Sequence, residues 1–533
     1  MGNAVSAPVL PPAPSSPPQA APRRMRQSVV PMLALLTLVA GYLVAPAVWQ
    51  WTAAEAHKSQ LDGPDHITEQ VSSISAPTSP ADLVARLRAA PTSAQSGPMI
   101  LTYHDIGYGS SEYTVAPEDF AQQMQLLLDA GWKTVTCAQL TDWLAGRPWP
   151  PHTAMITFDD GARGVWKYAD PILARYGQHA VAYIITGFVG TRTPYYMTWP
   201  ELSQMYASGR WDLEAHTHLG HVQVPVNANG DVGPFLTSLE YLGDKGRLET
   251  AAEYRTRVTN DLLESKRQLV AHGMPEPKFF AYPFSANAPA AAGPNVLAMI
   301  VGSLFSAAML DQAGIPTSTT TANLADRDFA RMDTTAGVSL ADWAAKLVAA
   351  SPLDPANATS FTRDSHEWTS SNGDGAAMPV DGRSGVTVDP GPGKYTSYLF
   401  APVRTSLWRR YTVEATFSGF VRDGDGTTTG LIALSQDPQQ LEIGISAAYY
   451  QVIRGGGDGH VVAQGPLTSA PSHRVEVRLD TARATVLVDG KNVAEVPLTP
   501  SASGFGPAGG ISIFAQRESV GSPIPRFSDL VVR

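Results

Sequence analysis

The side chains in this 533-residue sequence best suited to chemistry are an adjacent pair, Asp159-Asp160 followed by Gly161, and three histidines within six residues, His216, His218 and His221. Two carboxylates forced together raise each other's pKa unless a cation lies between them. The pair therefore reads as a division of labour in which one ligates and the other handles protons. Successive residues of a strand point to opposite faces, so both can serve one site only if the chain turns tightly at Gly161. Asp-Asp-Gly before a helical stretch is also ordinary cap chemistry. One carboxylate and two imidazoles make a three-ligand metal site with an open position, the arrangement of a zinc that activates water. Which two imidazoles is open from spacing alone: His216 and His218 share a face if the strand continues, whereas His216 and His221 converge only if Gly220 turns the chain. Three clustered histidines can also be an adventitious surface metal cluster. The single cysteine, Cys137, excludes an internal disulfide and multi-cysteine metal sites, so a metal here rests on His, Asp or Glu. Cys137 itself, at the end of the short strand pattern 133–137, reads as core packing.

These groups need elements to carry them. Apolar β-type runs at 99–103, 155–158, 181–185, 211–215 and 279–282 alternate with helical patterns. His104-Asp105, Asp159-Asp160, the histidine cluster and Pro283-Phe284-Ser285 each follow one of these runs, so four strand ends converge on one mouth. The helices have readable ends: Pro117 before one, Thr198 and Glu201 at capping-box spacing before another, Gly273 and Pro275 after a third, and Ser339 capping the last. Alternating βα units over this length predict an α/β fold, a parallel sheet closed or nearly closed into a deformed (β/α) barrel, with its chemistry at the carboxyl ends of the strands. The long segment 222–250 reads as a lid or glycan-contacting edge, or as a passive insertion.

The rest of the chain divides by composition. Residues 1–27 are a Pro-rich, disordered tail. Residues 28–51 carry no charge, and Arg23, Arg24 and Arg26 precede them. That pattern predicts one transmembrane helix anchoring the chain in a lipid bilayer, N-terminus in the cytoplasm and the body outside. A cleaved signal peptide, which would leave the body secreted, is the alternative. Residues 52–95 read as an extracellular stalk, 96–350 as the barrel domain and 351–378 as a polar linker between separate cores. Residues 379–533, with short β patterns and Gly-rich turns, read as an all-β antiparallel sandwich, serving glycan binding or a structural role. The formal net charge is −10, and the first 51 residues hold three arginines and no acid, so the body is more acidic still and no nucleic acid is expected as a partner.

Thr157-Phe158-Asp159-Asp160-Gly161, the His-Thr cluster and the Tyr282-Pro283-Phe284 element together resemble the polysaccharide deacetylases of carbohydrate esterase family four, the NodB-homology domain. The five-residue step from His216 to His221, with Tyr103-His104-Asp105, looks like the branch acting on poly-β-1,6-N-acetylglucosamine. The resemblance implies an N-acetylglucosamine polymer as substrate, acetate release, and a divalent metal, zinc. It makes Asp159 the general base, Asp160, His216 and His221 the metal ligands, and the Phe284 N–H the oxyanion donor. His218, Tyr282 and Pro283 are left for substrate contact. A membrane glycan synthase is a further partner of such a reading. The sequence departs from the family in three places, one of them Pro283-Phe284-Ser285 where many members have Pro-Tyr-Gly. Ala281 stands where many members carry an Arg that orients the base, and no histidine occurs between His272 and His366 to supply the late general acid. His104 is the substitute by position, against a structural hydrogen-bonding role, and Asp333 is a candidate for tuning the site. A peptidoglycan or chitin-type deacetylase, and a glycan-binding surface protein with impaired catalysis, are the rival expectations.

Overall fold

The computed structural model describes residues 58–62, 74, 77–90, 99–287, 293, 296–312, 328–357, 361, 365–371, 378, 385–455, 459–500 and 506–533. The expected tail and membrane helix, 1–51, lie outside the described residues. Among the described residues no helix is long and apolar enough to cross a membrane.

Seven parallel strands form the barrel: Ile100–Tyr103, Thr153–Phe158, Ala180–Ile184, Trp211–Ala215, Phe279–Ala281, Ala307–Gln312 and Asp328–Asp333. Closure comes from the first strand, which pairs with Thr153–Phe158 on one side (Leu101 opposite Ile156) and with Asp328–Asp333 on the other (Leu101 opposite Met332). Strands buried on both faces read as continuous apolar runs, as Met155-Ile156-Thr157-Phe158 does, because helices cover the outside while side chains fill the inside. The Ala307–Gln312 strand escapes the sequence reading; its Ala-Ala-Met-Leu run continues the preceding helix Val296–Leu304 without a change of period. Helix ends follow the capping signals: Thr198 and Thr250 form capping boxes with Glu201 and Glu253, and the Ser339 hydroxyl accepts from Asp342 N–H. Cys137 is buried as expected, but it opens the helix Cys137–Leu144 instead of ending a strand, because Thr136 makes a capping box with Gln139.

Two boundaries move. Ala81–Arg88, placed in the stalk by composition, packs on the barrel through Leu83 and Leu87, with Trp132 Nε1–H donating to Leu87 O at 3.1 Å. Leu61 is fully buried, and Arg163 donates to its carbonyl at 2.6 Å. A polar segment with a few correctly spaced leucines can still be core, because burial depends on what those leucines meet. The 351–378 stretch likewise contributes Leu353, Phe361 and Trp368 to the second core.

That second core lies between two antiparallel sheets. One runs, in spatial order, Trp368–Ser370, Lys394–Phe400, Gly510–Arg517, Thr427–Ser435, Leu441–Ile445, Tyr449–Arg454 and His460–Pro466. The other runs Gly385–Thr387, Arg526–Val532, Tyr411–Ser418, Ser472–Leu479, Arg483–Val488 and Lys491–Pro497. The two main cores form distinct clusters, and a third buried cluster joins the domains. Leu407 and Ala508 of the β domain are buried in one cluster with Trp143 and Trp149 of the barrel domain, and the Arg409 guanidinium lies 4.8 Å from the centre of the Trp143 ring.

Candidate active site

Asp159 and Asp160 leave the end of the Thr153–Phe158 strand with the turn the sequence required, but Asp160 itself takes the left-handed conformation (φ 72°) together with Gly161 (φ 85°). The turn keeps Asp159 buried, its N–H donating to Tyr103 O at 2.9 Å, and swings Asp160 into the same cavity. After Trp211–Ala215 the reversal comes at Thr217 (φ 72°), not at Gly220. Gly220 is needed for space, since a Cβ there would stand 2.9 Å from the Phe235 ring and 3.0 Å from an Asp261 oxygen. Asp261, on the helix Ala251–Ala271, holds the loop by accepting the N–H groups of His218 (3.0 Å) and Leu219 (2.7 Å).

The result brings Asp160, His216 and His221 together and leaves His218 out. Both Nε2 atoms face Asp160 Oδ1 at 3.3 Å, and His218 Nδ1 instead meets Thr186 Oγ1 at 3.0 Å. One ligand atom from each of the three residues lies within 4.8 Å of the others. Asp160 Oδ1 is buried and accepts no hydrogen bond, while His216 Nδ1–H donates to Ala281 O at 2.8 Å, leaving Nε2 as the lone-pair atom. A buried carboxylate oxygen facing two imidazole lone pairs is a donor set that fits a divalent cation such as zinc. In a zinc titration against a competing chelator, His221→Ala is expected to lose zinc and activity together, whereas His218→Ala keeps most of its zinc; the reverse ranking would move the ligand set onto His216 and His218.

The arginine missing from position 281 is supplied from elsewhere. Arg331, fully buried on the Asp328–Asp333 strand, donates to both Asp159 oxygens, Nη1 to Oδ1 at 2.7 Å and Nη2 to Oδ2 at 2.6 Å, and to Thr157 Oγ1 at 3.0 Å. Burial alone would push the Asp159 carboxyl up, but the Arg331 guanidinium outweighs it and holds Asp159 well below the usual carboxylate range. Sequence reading missed Arg331; the signal was an arginine inside an apolar strand pattern, which obliges a buried anion nearby.

These groups line a cavity of about 480 Å³ that also receives His104, Tyr113, Tyr282, Phe284, Asp311 and Asp333. His104 Nε2 lies 3.6 Å from Asp311 Oδ2, and its ring packs against Tyr113. Asp311 also escaped the sequence reading. Tyr282 reaches the cavity but is almost fully buried, with its hydroxyl 3.3 Å from Asp328 Oδ1, and Pro283 is buried beside it. Phe284 is half-exposed in the left-handed conformation (φ 57°), its ring 4.5 Å from that of His221. None of the cavity-lining residues comes from 222–250. That segment forms two short hairpins pinned by Arg257, which bonds Phe235 O, Ser238 O and Glu249.

Burial, reinforced by the neighbouring Asp311 charge, pushes Asp333 up to about 6. A carboxyl raised in the folded state binds its proton more tightly there than in the unfolded chain, so its contribution to stability is present at pH 4 and lost as pH rises through about 6. Asp333→Asn is therefore expected to be near neutral at pH 4 and stabilising by roughly 1–3 kcal/mol above pH 7. Thermal unfolding at the two pH values reads this, and an unchanged Tm at pH 7.5 would contradict it.

With fold and site described, the class is defined: residues 146–293 match the polysaccharide deacetylase family, and the chain carries a polysaccharide deacetylase domain. The matched span includes Asp159, Asp160, His216, His221 and Phe284 but ends before Asp311 and Arg331. The chain is 25% identical over 206 residues to the poly-β-1,6-N-acetyl-D-glucosamine N-deacetylase of Escherichia coli K12, covering 36% of this chain and 31% of that protein. It is 27% identical over 175 residues to the enzyme of the same name from Staphylococcus aureus MRSA252, covering 32% of this chain and 54% of that one. The chain thus matches about half or less of the length of these relatives. Among solved structures, the deacetylase domain of BpsB from Bordetella bronchiseptica aligns over 47% of this chain and 99% of its own, at 23% identity and a TM-score of 0.40.

Proposed function

We propose that this chain is a metal-dependent N-deacetylase that removes acetyl groups from an extracellular N-acetylglucosamine polymer of the β-1,6-linked type. The observation that carries the reading is the placement, in one cavity, of the Asp160–His216–His221 donor set beside an ionised, arginine-held Asp159. The names of the two relatives support the substrate class.

Asp160, His216 and His221 would hold the metal. A divalent ion bound there acidifies water and polarises the acetamide carbonyl. Asp159 takes the proton of the attacking water. Its pairing with Arg331 costs basicity, but keeps the carboxylate charged and aimed into the cavity. The Phe284 N–H is the oxyanion donor, on a residue that lines the cavity in the left-handed conformation. His104, with Asp311 beside it, protonates the departing amine, so the acetamide C–N bond breaks to acetate and a glucosamine unit. On this reading residues 28–51 anchor the enzyme at the outer face of the membrane, where a glycan synthase would deliver the polymer.

Zinc-loaded protein is expected to release acetate from β-1,6-linked N-acetylglucosamine oligomers faster than from β-1,4-linked oligomers or peptidoglycan. A preference for β-1,4 oligomers or peptidoglycan would reassign the substrate. No release from any of the three, with zinc bound, would overturn the activity.

A further inference from the structure

A second group of metal-type donors comes from the three neighbouring strands where the barrel closes. Asp333 ends the last strand and stands opposite Thr102 of the first, two residues before His104. Asp311, on the strand at its other side, stands opposite Arg331, two residues before Asp333. Residues in register share a face and a two-residue step keeps it, so the pleat that turns Arg331 inward turns Asp311 and Asp333 inward as well. All three donors, His104, Asp311 and Asp333, line the cavity. One ligand atom from each lies within 4.8 Å of the others, as in the Asp160, His216 and His221 set. Each also has a buried atom that makes no hydrogen bond, His104 Nδ1, Asp311 Oδ1 and Asp333 Oδ1, and Asp333 is only 6% exposed. His104 Nε2, at 3.6 Å from Asp311 Oδ2, is too far for a hydrogen bond. Arg331 gives both of its Nη groups to Asp159.

An imidazole and two carboxylates that converge in a cavity, each with an unsatisfied buried atom, form a donor set for a divalent cation. We propose that His104, Asp311 and Asp333 bind a second divalent ion in the same cavity as the Asp160, His216 and His221 set, and that filling this second set inhibits the enzyme. Imidazole suits zinc better than carboxylate does, and the second set has one imidazole where the first has two, so zinc binds it more weakly. The first ion loads at low zinc and the second only in excess. An imidazole with one nitrogen on a cation cannot carry protons on both, so His104 loses the imidazolium form that would protonate the departing amine. The second ion set stands on geometry alone; its inhibitory effect rests on the proposed deacetylation, in which His104 is the acid.

The test is equilibrium dialysis of the full-length protein against zinc chloride, without chelator, with bound zinc and the rate of acetate release measured at each concentration. The parent is expected to bind one equivalent at low zinc and two in excess, the rate rising over the first and falling about tenfold or more over the second. Asp333→Asn and Asp311→Asn should keep the first equivalent, which also shows that the barrel is intact, and weaken the second about tenfold or more. The excess zinc that halves each variant's own maximum rate should rise in step. Zinc anomalous scattering from crystals soaked in excess zinc should place the second ion among His104, Asp311 and Asp333. A single equivalent in excess zinc, or a second that both variants bind as tightly as the parent, would overturn the proposal. A second equivalent that fills without slowing the reaction would overturn the inhibitory role. If the parent binds two ions and both variants weaken the second, but no acetate is released at any zinc concentration, the deacetylation reading fails and the second ion set stands.

Discussion

Asp159→Asn is expected to lower acetate release by at least about a hundredfold, the scale of losing a general base. Zinc content should be unchanged, because the donor set is made of other side chains, Asp160 across the turn and His216 and His221 after the Trp211–Ala215 strand. The amide keeps an acceptor for Arg331 but removes the charge that a fully buried guanidinium requires, so a lower Tm should accompany the loss of rate. Undiminished acetate release from a preparation free of wild-type enzyme would remove Asp159 from the mechanism. Loss of zinc together with rate would mean that Asp159 ligates, and that the two aspartates exchange roles.

The second large effect is one of stability. Arg331→Met leaves Asp159 as an uncompensated charge 2% exposed in the barrel, and breaking such a pair from one side costs about 3–5 kcal/mol. Removing both charges, as in Asp159→Asn with Arg331→Met, should be less destabilising than Arg331→Met alone, because no buried ion is then left without a partner. Denaturant unfolding of the single and double variants measures the difference. If the double variant is no more stable than Arg331→Met, the arginine acts mainly through its packing among Thr157 and Tyr183 and not through its charge. The rate effect should divide the same way, since Arg331 touches the base and not the reacting atoms: Arg331→Lys, which keeps one donor and the charge, should recover more activity than Arg331→Met.

The barrel was legible in the sequence wherever a strand was an unbroken apolar run ended by a polar group, as at Ile100–Tyr103, Thr153–Phe158 and Trp211–Ala215. It was illegible at Ala307–Gln312, where small residues serve helix and strand equally and the strand was decided by pairing with Phe279–Ala281 and Asp328–Asp333 on either side. The same distinction separates Leu83 and Leu87 from the stalk to which composition assigned them. Periodicity reports which face of an element is apolar, and it is silent about whether another element arrives to cover that face.

What the sequence determined by itself was chemical type. It specified that a metal here must rest on His, Asp and Glu, that Asp159 and Asp160 need a turn to share a site, and that the histidines cluster after a strand. Each of these is a property of a few neighbouring residues. Tertiary structure decided the partners. It chose His221 over His218, because the reversal falls at Thr217 and Asp261, on a helix some 40 residues onward, fixes the loop. It also replaced the arginine absent at position 281 with one 172 residues along the chain from Asp159. Closing the barrel puts the last strand beside the first, and the first beside the strand that ends in Asp159, so a guanidinium and a carboxylate meet across the interior. Such a juxtaposition depends on ring closure, to which local spacing is blind.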